Sequence, residues 1–482
     1  MKFRAPRNFS LVMISNATLL VLGMCVIFLL PKISSTVEDY GYWQLYFFYT
    51  GYFGLFALGI CDGLNLLHAG KYSHQLDNKD LTVHLGALLT LTSVGAIAIS
   101  ALSSIATPDP SRQFVFVSIA IGIFLLNISG YCLQIHQITL QFREYSRLLS
   151  FERVLFVITL IPLLFIGKQH YQVFIVISLA TRAVASLYGL YTIRRHITPR
   201  FLLPRYVFEN RRSIIKSALT GLPVTLNIIL MTLVISAPRI AVEHTQNIRE
   251  YGLFSFAFAT LSIIAWIFPA LSAYLYPTLR RLSSENIPIF AKTMKMLINY
   301  SGGMALLLCF GFPSLIKFAF PQYQDVDSYI FMLFPWLIYQ AILGVVNDVF
   351  YRLQRMERRL LILNSVATTC IYILVFLAMT MTGSIRSMLL TGLLFIMFWA
   401  NYCYAQFMRK NSMRTSLVDY LDVVYVLMFV IVSIVSANLI GVFIYAIFYV
   451  LIIFITRRSV VRMLLLVKQA RDNSLQESPE LN

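Results

Sequence analysis

Residues 37–70 read VEDYGYWQLYFFYTGYFGLFALGICDGLNLLHAG. Two acids and a Tyr-Gly pair open the stretch, an apolar run rich in aromatic side chains fills 41–66, and a single carboxylate, Asp62, stands near its far end in Gly59-Ile60-Cys61-Asp62-Gly63. A run of about 20 apolar residues is long enough to cross roughly 30 Å of hydrocarbon as a helix. Working outward, comparable runs occupy 9–31, 81–105, 113–136, 152–167, 171–193, 217–238, 252–278, 296–316, 328–350, 360–382, 387–408, 418–437 and 438–456. With 41–66 they make fourteen. In the last pair, Asn438 to Gly441 is a tight connection, and Asp419 and Asp422 fall in the first turns of one helix.

Composition agrees. Of 482 residues, 58% are hydrophobic and 12% charged, and the mean hydropathy is +0.74. A water-soluble chain carries about 25% charged residues, so this balance excludes an ordinary soluble enzyme and a disordered or collagen-like chain. The expected fold is all-α and integral to a membrane, with about 14 transmembrane helices. The first apolar stretch is too long for a signal-peptide core and lacks an A-x-A site, so it is expected to stay as the first helix.

The net charge of +18 would suggest nucleic acid in a soluble protein. If the N-terminus lies in the cytoplasm, 31 of the 39 Lys and Arg fall in inner segments, seven in outer ones (Lys32, Arg112, Lys168, Arg239, Arg249, Lys317, Arg386), and Arg182 alone lies within a span. Such a bias marks the cytoplasmic side and places both termini there, as an even number of spans requires. It leaves no nucleic-acid partner to explain.

The opening stretch also recurs. Glu38-Asp39-Tyr40-Gly41-Tyr42 before span two is matched by Arg249-Glu250-Tyr251-Gly252-Leu253 before span eight. Pro31-Lys32-Ile33 ends span one and Pro238-Arg239-Ile240 ends span seven; Gln141-Phe142-Arg143-Glu144 follows span four and Gln354-Arg355-Met356-Glu357 follows span ten. Three matches in the same order predict two six-helix repeats, parallel because six is even. The expected organisation is an N-lobe at 1–193, a cytoplasmic linker at 194–216, a C-lobe at 217–408, helices thirteen and fourteen with an inner basic segment at 409–471, and a disordered cytoplasmic tail at 472–482.

Polar side chains inside spans are costly and mark cavities or partner helices. Arg182 sits about eleven residues from each end of span six, with no acid evident at that depth. It is either a cavity-facing anion site, suited to a phosphate, or a structural Arg bonded to carbonyls or to an acid nearer the surface. Asn127, Tyr131 and Gln134 share one face of span four, as Gln340, Gly344 and Asn347 do in span ten; both sets suit either interhelical bonds or cavity lining. Gln44 is a candidate substrate-binding residue, and Asp62, on the same face, is a gating or coupling carboxylate, a helix cap or an ion-pair partner. Lys32 and Arg239 occupy equivalent outer helix ends, where they frame a cationic mouth or snorkel to headgroups. Asn16 and Asn227 suit hydroxyl-rich ligands and helix packing alike. Asp348 is an ion-pair partner for the run Arg352 to Arg359. The six cysteines read as small apolar core residues. No phosphate-binding G-x-x-x-x-G-K-[ST] loop, no metal-ligand histidine spacing and no outer loop longer than about a dozen residues occurs; no cofactor is expected beyond a possible coupling ion.

LLPKIS at 29–34 together with Val37 to Gly70 resembles the opening of bacterial polysaccharide-export proteins of the Wzx type, flippases of the multidrug/oligosaccharidyl-lipid/polysaccharide superfamily. The resemblance implies two six-helix lobes around a cationic cavity open alternately to either side, with the last two helices forming a groove for a lipid tail. It further implies translocation of a polyprenyl-linked oligosaccharide across the bacterial inner membrane, for O-antigen, capsule or exopolysaccharide, beside a polymerase and glycosyltransferases, and no catalysis. Many relatives carry an acid before the arginine ending span seven, whereas Pro238 precedes Arg239 here. A multidrug antiporter and a membrane glycan polymerase or ligase are the rival functions. The charge bias makes a test: alkaline phosphatase fused to the C-terminus is expected to be inactive and a fluorescent protein there bright, and an active phosphatase fusion would reverse the orientation.

Overall fold

In hydrocarbon every peptide N–H and C=O must be bonded within its own segment, and an apolar chain without strand partners therefore coils into helices. The computed structural model describes residues 7–68, 76–265, 286–436 and 439–476, with isolated positions between 267 and 279. Its spans are α1 (Arg7–Ile33), α2 (Val37–Thr50, resumed as Ile60–His68), α3 (Asn78–Ala106), α4 (Pro110–Ile138), α5 (Phe142–Leu160), α6 (Tyr171–Thr192) and α7 (Arg211–Thr245). There follow α8 (Ile248–Ala265), α9 (Ile287–Cys309), α10 (Asp327–Ala341, continued to Leu353), α11 (Glu357–Thr382), α12 (Ile385–Lys410), α13 (Leu421–Val435) and α14 (Leu439–Gln476). Among the described residues eleven helices are long and apolar enough to cross a membrane, and two bent pairs, in α2 and from α9 into Phe312–Ala319, each make one more. With α1 these account for all fourteen expected runs.

The chain forms two compact units. The first holds Met1–Thr232 with Ile248–Gly252, and the second Leu233–Asn247 with Leu253–Asn482. The division thus falls inside α7, and the segment 194–216, expected as a linker, is partly helical: it contains Pro204–Glu209 and the start of α7 at Arg211. Arg and Lys are good helix formers, so the helix begins before the apolar run does. Helix α14 likewise runs to Gln476, five residues into the tail expected to be disordered; 477–482 lie outside the described residues. In the first unit α4 packs against α2, α3 and α6; in the second the almost wholly buried α10 packs against α9 and α12.

Helix α2 owes its shape to local chemistry. The Thr36 side chain caps it by accepting from the Asp39 amide at 3.1 Å, and Glu38 and Asp39 suit the positive N-terminal end. The helix tightens to a 3-10 turn at Phe53–Ala57, Leu58 and Gly59 take left-handed φ of 46° and 78°, and Ile60–His68 leaves at 55° to the first part. At Gly59 the conformation and the space act together, because a Cβ there would meet the backbone of Leu222 and Ala218 on α7.

The repeated Tyr-Gly motif has a structural counterpart. A Cβ on Gly41 would stand 2.5 Å from the carbonyl oxygen of Ile248, and one on Gly252 would stand 2.6 Å from that of Val37. Each glycine therefore meets the carbonyl four residues before the other, a symmetric crossing of the first turns of α2 and α8 that allows no side chain. The turns after α4 and α10 also match: Leu140 and Arg355 take φ of 57° and 53°, and the next amide bonds back five residues, Gln141 to His136 and Met356 to Tyr351. Overpacking at such a contact costs about 1–3 kcal/mol. Gly252→Leu is expected to lower the unfolding temperature in detergent by several degrees, whereas Gly54→Leu, with open space around its Cβ position, leaves it unchanged.

Candidate functional site: buried polar contacts within each unit

In the first unit the mid-span cation is not alone. Arg182 is 6% exposed; its Nε donates to Glu152 Oε1 at 3.0 Å and its Nη1 to the Tyr46 hydroxyl at 3.0 Å. The guanidinium lies 5.3 Å from the Tyr46 ring centroid, and the Tyr46 hydroxyl is 3.2 Å from Ser178 Oγ. The expectation that no acid reaches this depth is corrected. Hydropathy starts the fifth span at 152, but α5 begins at Phe142, so Glu152 stands ten residues, about 15 Å, along the helix. Arg182 is thus paired with an acid of the neighbouring helix. Glu152 keeps a quarter of its side-chain surface exposed.

Asn127 is 2% exposed, and its amide nitrogen donates to the carbonyls of Phe53 at 3.0 Å and Ile123 at 2.9 Å. It thereby satisfies a carbonyl freed by the break in α2. Gln44, also buried, donates to the Tyr40 hydroxyl at 2.6 Å one turn earlier. Both residues shape α2. Asp62 accepts from Thr225 Oγ1 on α7 at 2.5 Å. Asn227, on the same helix, is half-buried, and Lys32, near the end of α1, is exposed. Asn16 belongs to α1, but its side chain lies outside the described residues.

Two partners of α7 escaped the sequence reading. Ser213 donates to Asp80 Oδ1 at 2.8 Å, and Ser217 stands 2.9 Å from His84 Nε2. With Asp62 to Thr225, three side-chain contacts bind α7 to α2 and α3 over three and a half turns. The signal lay in α7 itself: Ser213, Ser217, Gly221 and Thr225 recur every four residues, a small and polar stripe on one face.

In the second unit Arg239 is 5% exposed, 5.9 Å from the Phe258 ring centroid. Helix α7 continues through Pro238 to Thr245, so Arg239 is inside a helix and not at its end. The expected equivalence of Lys32 and Arg239 is corrected on this ground: one is exposed, the other is buried. In α10 the residues Ile342–Asp348 form a π-helical turn, which shifts the phase of the expected Gln340, Gly344 and Asn347 face. Asn347 donates to the Ala400 carbonyl at 3.0 Å, and the Gly344 carbonyl accepts from Ser272 at 2.9 Å. Asp348 pairs with Arg352, as its sequence position suggested.

Lys292 and Lys295, which the charge count assigns to an inner loop, are enclosed. Lys295 and Asp422 have no exposed side-chain surface and meet at 2.6 Å; Lys292 lies 3.4 Å from Asp419. Two lysines three apart on α9 thus face two acids three apart at the start of α13. Asn401 donates to the second Asp422 oxygen at 2.7 Å, and Asn299 donates to the Asp419 carbonyl at 3.1 Å. These pairs explain how a span opens with two acids. The matching spacing, Lys292 and Lys295 against Asp419 and Asp422, was present in the sequence but joins segments more than 120 residues apart.

Solved structures place this arrangement. The inward closed conformation of the lipid II flippase MurJ matches at a TM-score of 0.64 with 12% identity, covering 94% of this chain and 99% of that one. The chain shares the fold of that protein. An inward-facing multidrug-resistance MATE transporter of the MOP superfamily matches at 0.55 with 14% identity, over 83% of this chain and 94% of that one. No family model matches the sequence, and no curated protein matches it.

The buried ladder gives a prediction. Removing one member of a buried pair strands the other charge at a cost of about 3–5 kcal/mol, whereas replacing both by apolar residues is close to neutral. Lys295→Met is expected to lower the unfolding temperature in detergent sharply, and adding Asp422→Leu to restore most of it; a double variant as unstable as the single would show that the charges do more than balance each other.

Proposed function

We propose that this chain flips a polyprenyl-phosphate- or pyrophosphate-linked oligosaccharide from the inner to the outer leaflet of a bacterial plasma membrane, for assembly of a surface polysaccharide. One observation carries the reading, the likeness to a lipid II flippase over nearly the whole of both chains; the sequence resemblance at Val37 to Gly70 agrees with it. In this reading both termini are cytoplasmic, and the chain acts beside glycosyltransferases and a polysaccharide polymerase. A second reading, export of small molecules in exchange for an ion, is supported by the likeness to a multidrug transporter, which takes in 83% of the chain.

Roles follow from chemistry. Arg182 offers the charge a lipid phosphate requires, but Glu152 already neutralises it. The phosphate must therefore displace a carboxylate, which makes its binding reversible. Asp62, bonded across to α7, is the gating or coupling carboxylate, and Asn227 and Asn16 are candidates for sugar hydroxyls. Lys32, exposed near the end of α1, and Arg239, buried inside α7, are further candidates for the substrate's phosphate. Gln44 and Asn127, whose amide nitrogens bond Tyr40 and backbone carbonyls, are further candidates for the sugars.

The pair separates binding from support. Arg182→Ala is expected to reduce surface polymer at least tenfold and to accumulate lipid-linked oligosaccharide in the inner leaflet. Glu152→Gln, which frees the guanidinium, is expected to keep export at or above the parent level. If both variants lose protein from the membrane to the same degree, the pair is structural; drug resistance without any change of glycan would establish the antiporter.

A further inference from the structure

We propose that the first turns of α7 carry a binding site for the headgroup of an anionic phospholipid. The helix has two faces there. Ser217, Gly221 and Thr225 are buried, whereas Arg212, Ile215, Lys216 and Leu219 are exposed, and the two sets interleave with helical periodicity. On the exposed face Arg212, Ile215, Lys216, Leu219 and Thr220 line an open groove of about 470 Å³.

The charge of the groove selects its ligand. Residues 194–216 hold seven Lys and Arg and one acid, Glu209, and Glu209 is engaged by Arg205 at 3.0 Å. Neither Arg212 nor Lys216 forms an ion pair among the described residues. One turn apart on a helix, their side chains are neighbours and converge on one anion. The position selects a lipid. Arg212 and Lys216 stand just before the apolar run of α7, while Ile215 at 53% and Leu219 at 65% exposure continue the same face toward hydrocarbon. A phosphate between the two cations would therefore leave its glycerol and acyl chains against Leu219 and Pro223, one turn further along the same face. Beside the groove Leu203 and Phe208 are also exposed, at 57% and 67%, and Arg211 lies 4.5 Å from the Phe208 ring centroid, the mixture of basic and apolar side chains suited to a headgroup layer. No amide side chain or aromatic ring lines the groove to hold sugars, which favours a phospholipid over a glycan-bearing lipid.

The site has a consequence for the fold. The face opposite the groove is fastened by Asp80 to Ser213, His84 to Ser217 and Asp62 to Thr225. A headgroup clamped on the outer face holds the same turns of α7 in helical register and so strengthens those three contacts.

The test uses the full-length protein in neutral detergent, titrated with phosphatidylglycerol, phosphatidylcholine or inorganic phosphate, with bound lipid counted by native mass spectrometry and unfolding followed by heat. Phosphatidylglycerol is expected to bind and to raise the unfolding temperature, and neither phosphatidylcholine nor inorganic phosphate is expected to do so. Arg212→Gln with Lys216→Gln is expected to weaken phosphatidylglycerol binding at least fivefold, while Arg212→Lys with Lys216→Arg retains it. Arg457→Gln with Arg458→Gln, an exposed basic pair on α14, is expected to leave it intact. Equal weakening by the α14 variant, equal binding of phosphatidylcholine, or unchanged binding by the Gln pair on α7 would each overturn the site. A thermal shift produced equally by inorganic phosphate would assign the groove to a free anion and overturn the lipid.

Discussion

A charge carried along a helix into hydrocarbon must meet an opposite charge, because an isolated ion there costs several kcal/mol while helix ends and loops remain available to it in water. The interior of this protein is arranged around that constraint. Arg182 is met by Glu152 and Tyr46, Lys295 by Asp422, and Lys292 by Asp419. Each pair joins different helices: α6 to α5 and α2, and α9 to α13. Charges that a count of cations assigns to loops are therefore fastenings between spans. Their existence depends on α5 and α9 beginning well before their apolar runs, which lifts Glu152 and Lys295 from the membrane edge into the bundle.

The same constraint limits what the protein can do with an anion. An arginine already paired binds only an anion that outcompetes its carboxylate. Glu152, beside the buried Arg182, keeps a quarter of its side-chain surface exposed. The second unit offers a contrast, since Lys295 and Asp422 are wholly enclosed and their work is to anchor α13.

Some departures from regular helix geometry lie at close helix contacts. The break in α2 brings Gly59 against α7, with Asn127 bonding the Phe53 carbonyl at that break. The first turns of α2 and α8 cross glycine on glycine, and α10 takes a π-helical turn beside Ser272 and Ala400. In a bilayer such departures persist only where neighbouring helices satisfy the freed groups, so they mark the helix contacts that define each unit. Helix α7 combines both themes: one face fastened by three polar contacts, the other basic and exposed.

The sequence by itself determined the class of fold, the fourteen spans and the bias of charge, because hydropathy and loop charge act locally and each residue contributes independently. It also held the duplicated Tyr-Gly motif, whose two copies turned out to touch. It left Arg182 between two readings, because its acid lies outside the apolar run that defines span five. It placed Arg239 at a helix end because proline usually ends one, and it filed Lys295 with the loops because a charge ordinarily marks the edge of a span. Those assignments depend on which helix lies beside which, over separations of 30 residues for Arg182 and Glu152 and 127 for Lys295 and Asp422. Pairing across such distances is decided by packing, and only the tertiary structure sets it.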